Sequence, residues 1–491
     1  MMLTGYVQAS EPGILKVWIG LFDAVPPPEP QVFIDRRLAT PLAPPDIRPI
    51  RDLTVDAGNN PVNHQTVLSF KVEKASRPHQ IRIEAGGQSH EFATMTLPEE
   101  VPTVLEGSFN ILLSSCYSQP EDRSGLLGTV VSQIKVQPHL TVLAGDQVYL
   151  DLPLGEMVPA ANPDRARALS QKYRKNWLSG ALAVPGLQAV LERAPVICIP
   201  DDHEFWNNYP FAQKQLPDTW LEPSRQLLGD VARSLYEDYQ IGGPPGGAGG
   251  ARRLDVDPLR MLFIDLRCDR DNQLDTLMSA SASAALTQWK DDLIAARKAN
   301  RPAVGMLVSG QALYVNAPVA EWRKHSIDAE MPNYKQFSAI EQTIAELSGE
   351  GIPVVYMTGD VHWGRVALGT DVRTGAVLYE VIASPSRLLR VPLLDTAKEQ
   401  WNKAKGIFGD KDDWPRHSEP EEPPHFFGPN GCIRVGATGC QQRGDQVAIV
   451  SFTRVGSGAD MQVSYYGISD DKALAHSNQS QRFELRMRDP V

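Results

Sequence analysis

The sequence predicts two units of different fold class, a small all-β sandwich followed by a larger α/β core. In the first hundred residues, short runs rich in Val, Ile and Phe, such as ILKVWIGLFD and HQIRIEAGG, are separated by turn-forming Pro, Gly and Asn, which is typical of a sandwich. Further on, strand-like runs alternate with helical ones, and consecutive strands such as QVAIVSFTR return near the C-terminus. We therefore predict a β-sandwich (Ig/fibronectin-like) domain at 1–106 and an α/β (α+β) domain at 107–491.

The elements of the larger domain can be placed in order along the chain. Five apolar runs predict strands: FNILLSS, LTVLAGD, APVICIPDD, AVGMLVSGQ and IPVVYMTGD. Helices are predicted for GLLGTVVSQIKVQ, for AIEQTIAELSGEG and for SAALTQWKDDLIAARKAN, in which Leu286, Trp289 and Leu293 recur at helical spacing. This alternation is typical of an α/β core.

Composition excludes some classes of function. The chain has 491 residues, 42% of them hydrophobic, and a formal net charge of −11. Because an acidic surface does not displace phosphate counterions, we expect no nucleic-acid partner. The start of the sequence shows no signal peptide, and no apolar run is long enough to span a membrane. These features predict a cytoplasmic protein, although an exported protein whose leader had been removed would look the same.

Two segments stand apart from the predicted elements. GGPPGGAGG at 242–250 is predicted to be a flexible loop, and it is not a phosphate-binding loop, since it lacks the Lys-Ser/Thr ending and contains two adjacent prolines. The stretch at 396–445 is polar and rich in proline. It is either a surface insertion or a lid over the site.

Four of the predicted strands end in residue types that bind metals. These strand ends are NILLSSCYS at Cys116, LTVLAGDQVYLD at Asp146 and Tyr149, VICIPDDHE at Asp202 and His203, and VVYMTGDVHW at Asp360 and His362. In an open α/β sheet, ligands bind beyond the carboxyl ends of the strands, so the four ends can converge on one crevice. The glycines before Asp146 and Asp360 suit a tight turn that directs a carboxylate at a cation.

Each strand end alone has a simpler explanation. A single Asp after a strand is more often a turn or helix-cap residue, and Cys116 alone would be a small buried hydrophobe. Together they favour a metal site. Asp, Asn and His suit two cations that share a bridging carboxylate, a centre that binds a phosphoryl oxygen and supplies hydroxide. His203 is then a candidate proton donor to the leaving group, because it lies beside a predicted ligand.

The order of these motifs resembles the alkaline phosphatase D (PhoD-like) branch of the calcineurin-like metallophosphoesterases. The matching pieces, from about residue 108 to 385, are SSCYS, GDQVYLD, DDHEFWNN, LFIDLRCDR, LTQWKDDL, LVSGQ and TGDVHW. The superfamily's opening Asp-x-His and closing Gly-His-x-His are replaced here by Cys116 and by GDVH, as they are in this branch. The resemblance implies a metallophosphoesterase-type core of two sheets flanked by helices.

The resemblance also implies a set of metal ligands. An iron-type ion is expected to bind Cys116, Asp146, Tyr149, Asp360 and His362, with Asp146 bridging to a second ion. Asp202 and one of Asn207 or Asn208 match the positions that face the second metal and the phosphate. A thiolate and a phenolate on one cation suit Fe(III), which keeps both deprotonated. Oxygen ligands at the second site suit Ca²⁺, or another divalent ion such as Zn²⁺, Mn²⁺ or Mg²⁺.

The expected activity is hydrolysis of a small phosphate ester, a phosphomonoester or a phosphodiester, by in-line attack of metal-activated hydroxide, with Asp202 and His203 as catalytic residues. Arg225 and Arg233 are candidates for clamping the phosphate, beside Asn207 and Asn208. Arg267 and Arg270 could do the same, or could pair with the acidic residues adjacent to them. The alternative is a catalytically inactive PhoD-like scaffold that binds a partner through its sandwich and proline-rich loops.

Overall fold

The structure is a computed structural model. It describes residues 1–74, 76–152, 158–159, 161–179, 186–213, 216–243, 246–314, 331–387, 425–469 and 474–489. Residues 396–424 of the predicted insertion or lid lie outside the described residues. None of the described helices is both long enough and apolar enough to cross a membrane.

The N-terminal strands form the predicted sandwich. They are β1 (Met2–Gln8), β2 (Ile14–Phe22), β3 (Gln31–Ile34), β4 (Arg37–Leu38), β5 (Arg48–Pro49), β6 (His64–Lys71), β7 (Pro78–Ala85) and β8 (Gln88–Met95). Strands β1, β2, β6 and β5 are neighbours in one sheet, and β4, β3, β7 and β8 form a second. Side chains alternate along β2, so that Val17 and Ile19 pack with Ile83 of the second sheet, whereas Trp18 points to the opposite face.

The remaining strands build the core. They are β9 (Phe109–Ser114), β10 (Leu140–Ala144), β11 (Val196–Ile199), β12 (Ala251–Val256), β13 (Leu259–Ile264), β14 (Val304–Val308), β15 (Val354–Thr358), β16 (Gly364–Asp371), β17 (Val377–Ile382), β18 (His425–Phe427), β19 (Ile433–Gln442), β20 (Gln446–Val455), β21 (Gly458–Ile468), β22 (Leu474–Gln479) and β23 (Phe483–Leu485). The helices are α1 (Leu126–Gln133), α2 (Asn162–Trp177), α3 (Leu187–Leu191), α4 (Glu222–Tyr236), α5 (Ala280–Lys298) and α6 (Phe337–Gly349). A π-helical segment, Glu237–Ile241, continues α4.

Two large sheets pack face to face in this core. One contains β22-β21-β20-β9-β10-β11-β1-β2-β6-β5 in spatial order, with β23 paired to β21, and the other contains β12-β13-β14-β15-β17-β16-β19-β18. Ile111 and Val142 of the first sheet share a buried cluster with Met306 of the second. Helices α1 to α4 cover the outer face of the first sheet, and α5 and α6 cover that of the second. The predicted two-sheet α/β core with flanking helices is confirmed.

Helix α5 shows how the sequence directs one of these layers. The Ser279 hydroxyl accepts the backbone N–H of Ala282 at 3.0 Å and so caps the first turn. The predicted apolar face is buried against the sheet, and the Trp289 indole donates to the Arg260 carbonyl at 2.8 Å. The helical spacing of the apolar residues therefore identified the buried face correctly.

The sandwich and the core share a sheet. Strands β1 and β11 run parallel, with a single register pair between Gln8 and Val196, and the Ala9 N–H donates to the Val196 carbonyl at 2.9 Å. The predicted boundary after residue 106 falls between β8 and β9, where the described chain forms no strand. The domain boundary itself stays a prediction.

Candidate metal centre

The carboxyl ends of β9, β10, β11 and β15 meet at one edge of the two sheets. Cys116 and Asp146 follow the neighbouring strands β9 and β10, and their turns are joined because the Cys116 N–H donates to the Gly145 carbonyl at 3.1 Å. The Tyr117 N–H in turn donates to the Asp146 carbonyl at 2.8 Å. Adjacent parallel strands thus present their terminal side chains to one place, as the sequence pattern predicted.

The backbone is in an unusual conformation at the predicted ligands. Cys116, Asp146, Asn208, Asp360 and His362 all have φ between 54° and 65°. Non-glycine residues seldom occupy this left-handed region, and where they do the strain is often associated with a functional site. Five of the predicted site residues therefore share a left-handed backbone conformation, which the surrounding structure must stabilise.

Two glycines allow the strand ends to approach closely. A Cβ at Gly145, where φ is +90°, would lie 2.6 Å from the Cβ of Asp201. A Cβ at Gly359 would overlap the side chain of Ser115. Only glycine fits at these two positions, so the predicted tight turns before Asp146 and Asp360 also serve close packing between strand ends.

Carboxylates crowd together beyond these turns. Ligand atoms of Asp146, Asp202 and His203 lie within 4.8 Å of one another, and so do those of Asp146, Asp201 and Asp360. Asp146 belongs to both groups. Burial raises the pKa of Asp146 well above its usual value, and the neighbouring carboxylates of Asp202 and Asp201 raise it further against the opposing effect of His203. Buried like charges of this kind are relieved by cations, so the arrangement is compatible with metal binding.

Cys116 and Tyr149 add the donors expected for a trivalent ion. The Cys116 thiol donates to Asp146 Oδ2 at 3.4 Å and accepts the Ser384 hydroxyl at 3.2 Å. The Tyr149 hydroxyl is buried and makes no hydrogen bond of normal geometry to the described residues. Burial and nearby negative charge raise the pKa values of both groups well above normal, which a bound cation would reverse. The residues present therefore fit a metal ion.

His203 lies at the rim of this centre and is held by a carboxylate. Its Nδ1 is 2.7 Å from Asp151 Oδ1, and its ring centroid is 4.2 Å from that of Tyr149. Burial opposes the charged imidazole, but Asp151, Asp202 and Asp146 outweigh it and raise the pKa of His203 well above 6.5. Sequence reasoning missed Asp151. The signal was present, since Asp151 closes the GDQVYLD motif that contributes Asp146 and Tyr149.

Glu204 ties the strand ends together from behind. Its Oε2 accepts the backbone N–H groups of both Asp146 and Asp201 at 2.9 Å, and its Oε1 accepts that of Gln147 at 2.7 Å. Arg267 Nε donates to Asp201 Oδ1 at 2.7 Å in a fully buried pair. Arg267 thus pairs with Asp201 rather than with the acidic residues adjacent to it in sequence, and Asp201 is fixed in place.

The two asparagines occupy different positions. Asn208 is buried, and its backbone N–H donates to Asp202 Oδ2 at 2.6 Å. Asn207 is exposed, and its N–H donates to Asp151 Oδ2 at 2.8 Å. Burial acts to raise the pKa of Asp202, yet the pKa is lowered because His203, Arg267 and this Asn208 N–H favour the carboxylate. Asn208 is therefore the asparagine whose backbone contacts the predicted ligand Asp202, whereas Asn207 contacts Asp151.

Three predicted site residues belong to neither of the two groups of ligand atoms. The His362 side chain is exposed, while its backbone N–H donates to the Ser384 hydroxyl at 3.2 Å. Arg225 donates to the Thr219 carbonyl at 2.7 Å, and Arg233 donates to Asp269 at 2.8 Å. Both arginines line a separate cavity whose described walls hold none of the predicted metal ligands. Metal binding by His362 and phosphate binding by the two arginines stay predictions.

Arg270 takes a structural role in the described part of the chain. Its guanidinium donates to the Leu266 carbonyl at 2.6 Å and to the Gln311 side chain, and it lies over the ring of Tyr334. Gln311 belongs to the LVSGQ motif, and its neighbour Gly310 would place a Cβ 2.6 Å from the Pro200 carbonyl. This motif therefore supports the turn that carries Asp201 and does not itself supply a charged ligand.

The two-sheet core with an acidic centre at its strand ends defines a PhoD-like fold. The solved structure of PhoD matches with a TM-score of 0.58 at 12% sequence identity, over 99% of this chain and 91% of that one. GAP50, the anchor in the inner membrane complex of Plasmodium, matches with a TM-score of 0.29 at 9% identity, over 78% of this chain and 90% of its own. No protein-family model and no curated protein matches the sequence. The resemblance in fold to PhoD is confirmed.

Proposed function

We propose that this protein is a metal-dependent phosphoric ester hydrolase of the alkaline phosphatase D type, acting on small phosphomonoesters, phosphodiesters or both. The observation that carries the proposal is Asp146, whose carboxylate belongs to both groups of buried ligand atoms within 4.8 Å. A carboxylate in that position is suited to bridge two cations. We assign one ion, Fe(III), to Cys116, Tyr149, Asp146 and Asp360, and a second, Ca²⁺ or another divalent ion, to Asp146, Asp202 and Asn208.

The bound ions would polarise the phosphoryl group and lower the pKa of a water molecule that attacks in line with the leaving group. The chain supplies the other components. Glu204 and Arg267 hold the backbone of Asp146 and the carboxylate of Asp201 so that the ligands are preorganised. Arg267 and Asp201 are both buried, which limits their movement.

His203 is proposed to donate the proton that the leaving alkoxide requires. With Nδ1 bonded to Asp151, Nε2 is the ring nitrogen that remains for proton transfer. Asp151 also favours the protonated imidazole, which is the form that a general acid needs. The ring contact with Tyr149 fixes the orientation of the imidazole.

A cavity beside the centre supports a small organic ester as the substrate. It has a volume of 440 Å³, and its wall includes Tyr149 together with Val148 and Leu152. Lys172, also in the wall, donates to the Leu150 and Leu152 carbonyls at 2.8 Å. Apolar walls next to a polar reacting centre are typical of substrate pockets. We place the organic part of the ester in this cavity.

The test is hydrolysis of p-nitrophenyl phosphate and bis(p-nitrophenyl) phosphate, followed by a panel of esters with larger alcohols, before and after chelator treatment. We expect turnover that is lost on chelation and restored by metal. Asp146→Asn should abolish it, whereas Asp164→Asn, at an exposed carboxylate on α2, should not. A fully metal-loaded protein that hydrolyses neither ester would contradict the proposal and favour the inactive scaffold.

A further inference from the structure

A second cavity lies where the sandwich and the core separate. Strand β1 pairs with β11 only at Gln8 and Val196, and beyond this pair β11 continues without β1 beside it. The resulting cavity has a volume of 350 Å³ and is lined by the whole of Val196–Pro200. None of the predicted metal ligands lies in its described walls, so it is distinct from the metal centre.

Two cationic side chains from different sheets reach this cavity. Lys16 lies on β2 directly opposite Gln8, and Arg252 lies on β12 of the eight-stranded sheet. Among the described residues, neither side chain has a hydrogen bond or an ion pair. Burial and the charge of Arg252 lower the pKa of Lys16 to about 8, and burial also lowers the pKa of Arg252. Both side chains are partly buried, and no described carboxylate forms an ion pair with either of them.

Two buried arginines in the described chain show how a cation can be neutralised within the protein. Arg165 pairs with Asp218 at 2.8 Å, and Arg365 pairs with Glu380 at 2.7 Å. Buried charges are costly unless they are paired. Lys16 and Arg252 are only partly buried and have no such partner among the described residues, and they line a cavity large enough to hold a ligand, so the cavity offers an anion two cationic contacts.

One carboxylate does line the cavity, but it is engaged elsewhere. Asp265 Oδ1 accepts the backbone N–H groups of Arg267 and Cys268 at 2.9 Å, and Oδ2 accepts that of Gly249 at 2.8 Å. Three backbone donors thus stabilise its charge locally. Asp265 forms no ion pair with Lys16 or Arg252 within the described residues.

We propose that Lys16 and Arg252 form a phosphate-binding site that is separate from the metal centre. Two adjacent cations repel each other, and a dianion placed between them compensates both. A phosphate group carries between one and two negative charges near neutral pH, and its oxygens match the fork of an arginine guanidinium. The volume admits inorganic phosphate or the phosphate of a small organic ester. The site does not rest on the proposed hydrolysis.

The experiment is calorimetric titration of inorganic phosphate into the full chain after chelator treatment, which removes metal-dependent phosphate binding. We expect one phosphate to bind per chain. The double variant Lys16→Gln/Arg252→Gln should weaken binding by at least about tenfold, because both charge-assisted contacts are lost. The double variant Lys71→Gln/Arg253→Gln is the matched control. It removes the same charge from an exposed lysine and from an arginine that pairs with Asp255, and it should bind phosphate as the wild type does.

A second substitution separates loss of binding from loss of folding. Arg252→Lys keeps the charge but loses the guanidinium fork, so it should bind phosphate more tightly than Arg252→Gln does, and its melting temperature should rise when phosphate is added. Glycerol 3-phosphate in place of inorganic phosphate distinguishes an organic ligand from the free anion. Absence of phosphate binding to the chelated wild type, or equal weakening in both double variants, would overturn the site. Neither result would bear on turnover by the metal-loaded enzyme.

Discussion

The side chain of Glu204 holds the backbone of Asp146, since Glu204 Oε2 accepts the Asp146 N–H at 2.9 Å. The same oxygen accepts the N–H of Asp201. Burial raises the pKa of Glu204 to about 7, although these N–H groups and the Gln240 amide counteract it. One side chain therefore fixes the ends of two neighbouring strands, and the position of the shared carboxylate of Asp146 depends on a residue that need not touch a metal.

Glu204→Gln should lower the affinity for metal by about 10- to 100-fold. The reason is that an amide offers a single acceptor oxygen, whereas the strand ends present three N–H groups. Elemental analysis after dialysis against limiting metal measures the change, and circular dichroism checks the fold. Glu222→Gln, at an exposed position in the first turn of α4, is the control. Unchanged metal content in Glu204→Gln would show that these contacts do not set the ligand geometry.

Tyr149→Phe should remove a visible absorption band from the metal-loaded protein. A phenolate bound to Fe(III) gives such a band, and the buried Tyr149 hydroxyl lies beside Cys116 and Asp146 without a hydrogen bond of normal geometry in the described structure. The measurement is the absorption spectrum of concentrated protein, paired with iron and zinc analysis. A colourless wild type fully loaded with zinc would contradict the iron assignment and leave the phosphoesterase proposal standing.

The grouping of these side chains could be predicted because they follow strands directly. Cys116, Asp146, Asp202 and Asp360 are local to strand ends, and parallel strands bring such positions together. The pairing of Arg267 with Asp201 could not be predicted, since it joins side chains 66 positions apart in sequence. Sequence proximity instead suggested that Arg267 would pair with its acidic neighbours.

The junction between sandwich and core also lay beyond sequence reasoning. Each strand of the sandwich has its own apolar alternation. That alternation does not show which strand of the core pairs with β1. That neighbour is fixed by one register pair, Gln8 with Val196. A single backbone pairing between distant strands leaves no periodic signal, so the sandwich was predicted as a unit on its own.

Asp151→Asn should slow esters with poor leaving groups about 100-fold while affecting p-nitrophenyl esters much less. The reason is that Asp151 favours the protonated form of His203, and only a poor leaving group needs the proton. Comparison of kcat for phenyl phosphate and p-nitrophenyl phosphate in both proteins measures this difference. Equal losses on the two esters would argue that Asp151 maintains the structure of the site and does not assist proton donation.

His139 should make the protein less stable as the pH falls from 6.5 to 4. Burial lowers the pKa of His139 to about 4, and its Nδ1 accepts the Asn110 N–H at 3.1 Å, a contact that requires the neutral ring. In this pH range the unfolded chain binds the proton and the folded chain does not, so the free energy of unfolding decreases with falling pH. A pKa shift of this size corresponds to a loss in the free energy of unfolding on the order of 3 kcal/mol at most.

Denaturant unfolding at pH 7, 5.5 and 4 measures this loss. The free energy of unfolding should fall more steeply with pH for the wild type than for His139→Gln, which keeps an acceptor but cannot be charged. Parallel pH profiles for the two proteins would mean that His139 is not buried in its neutral form.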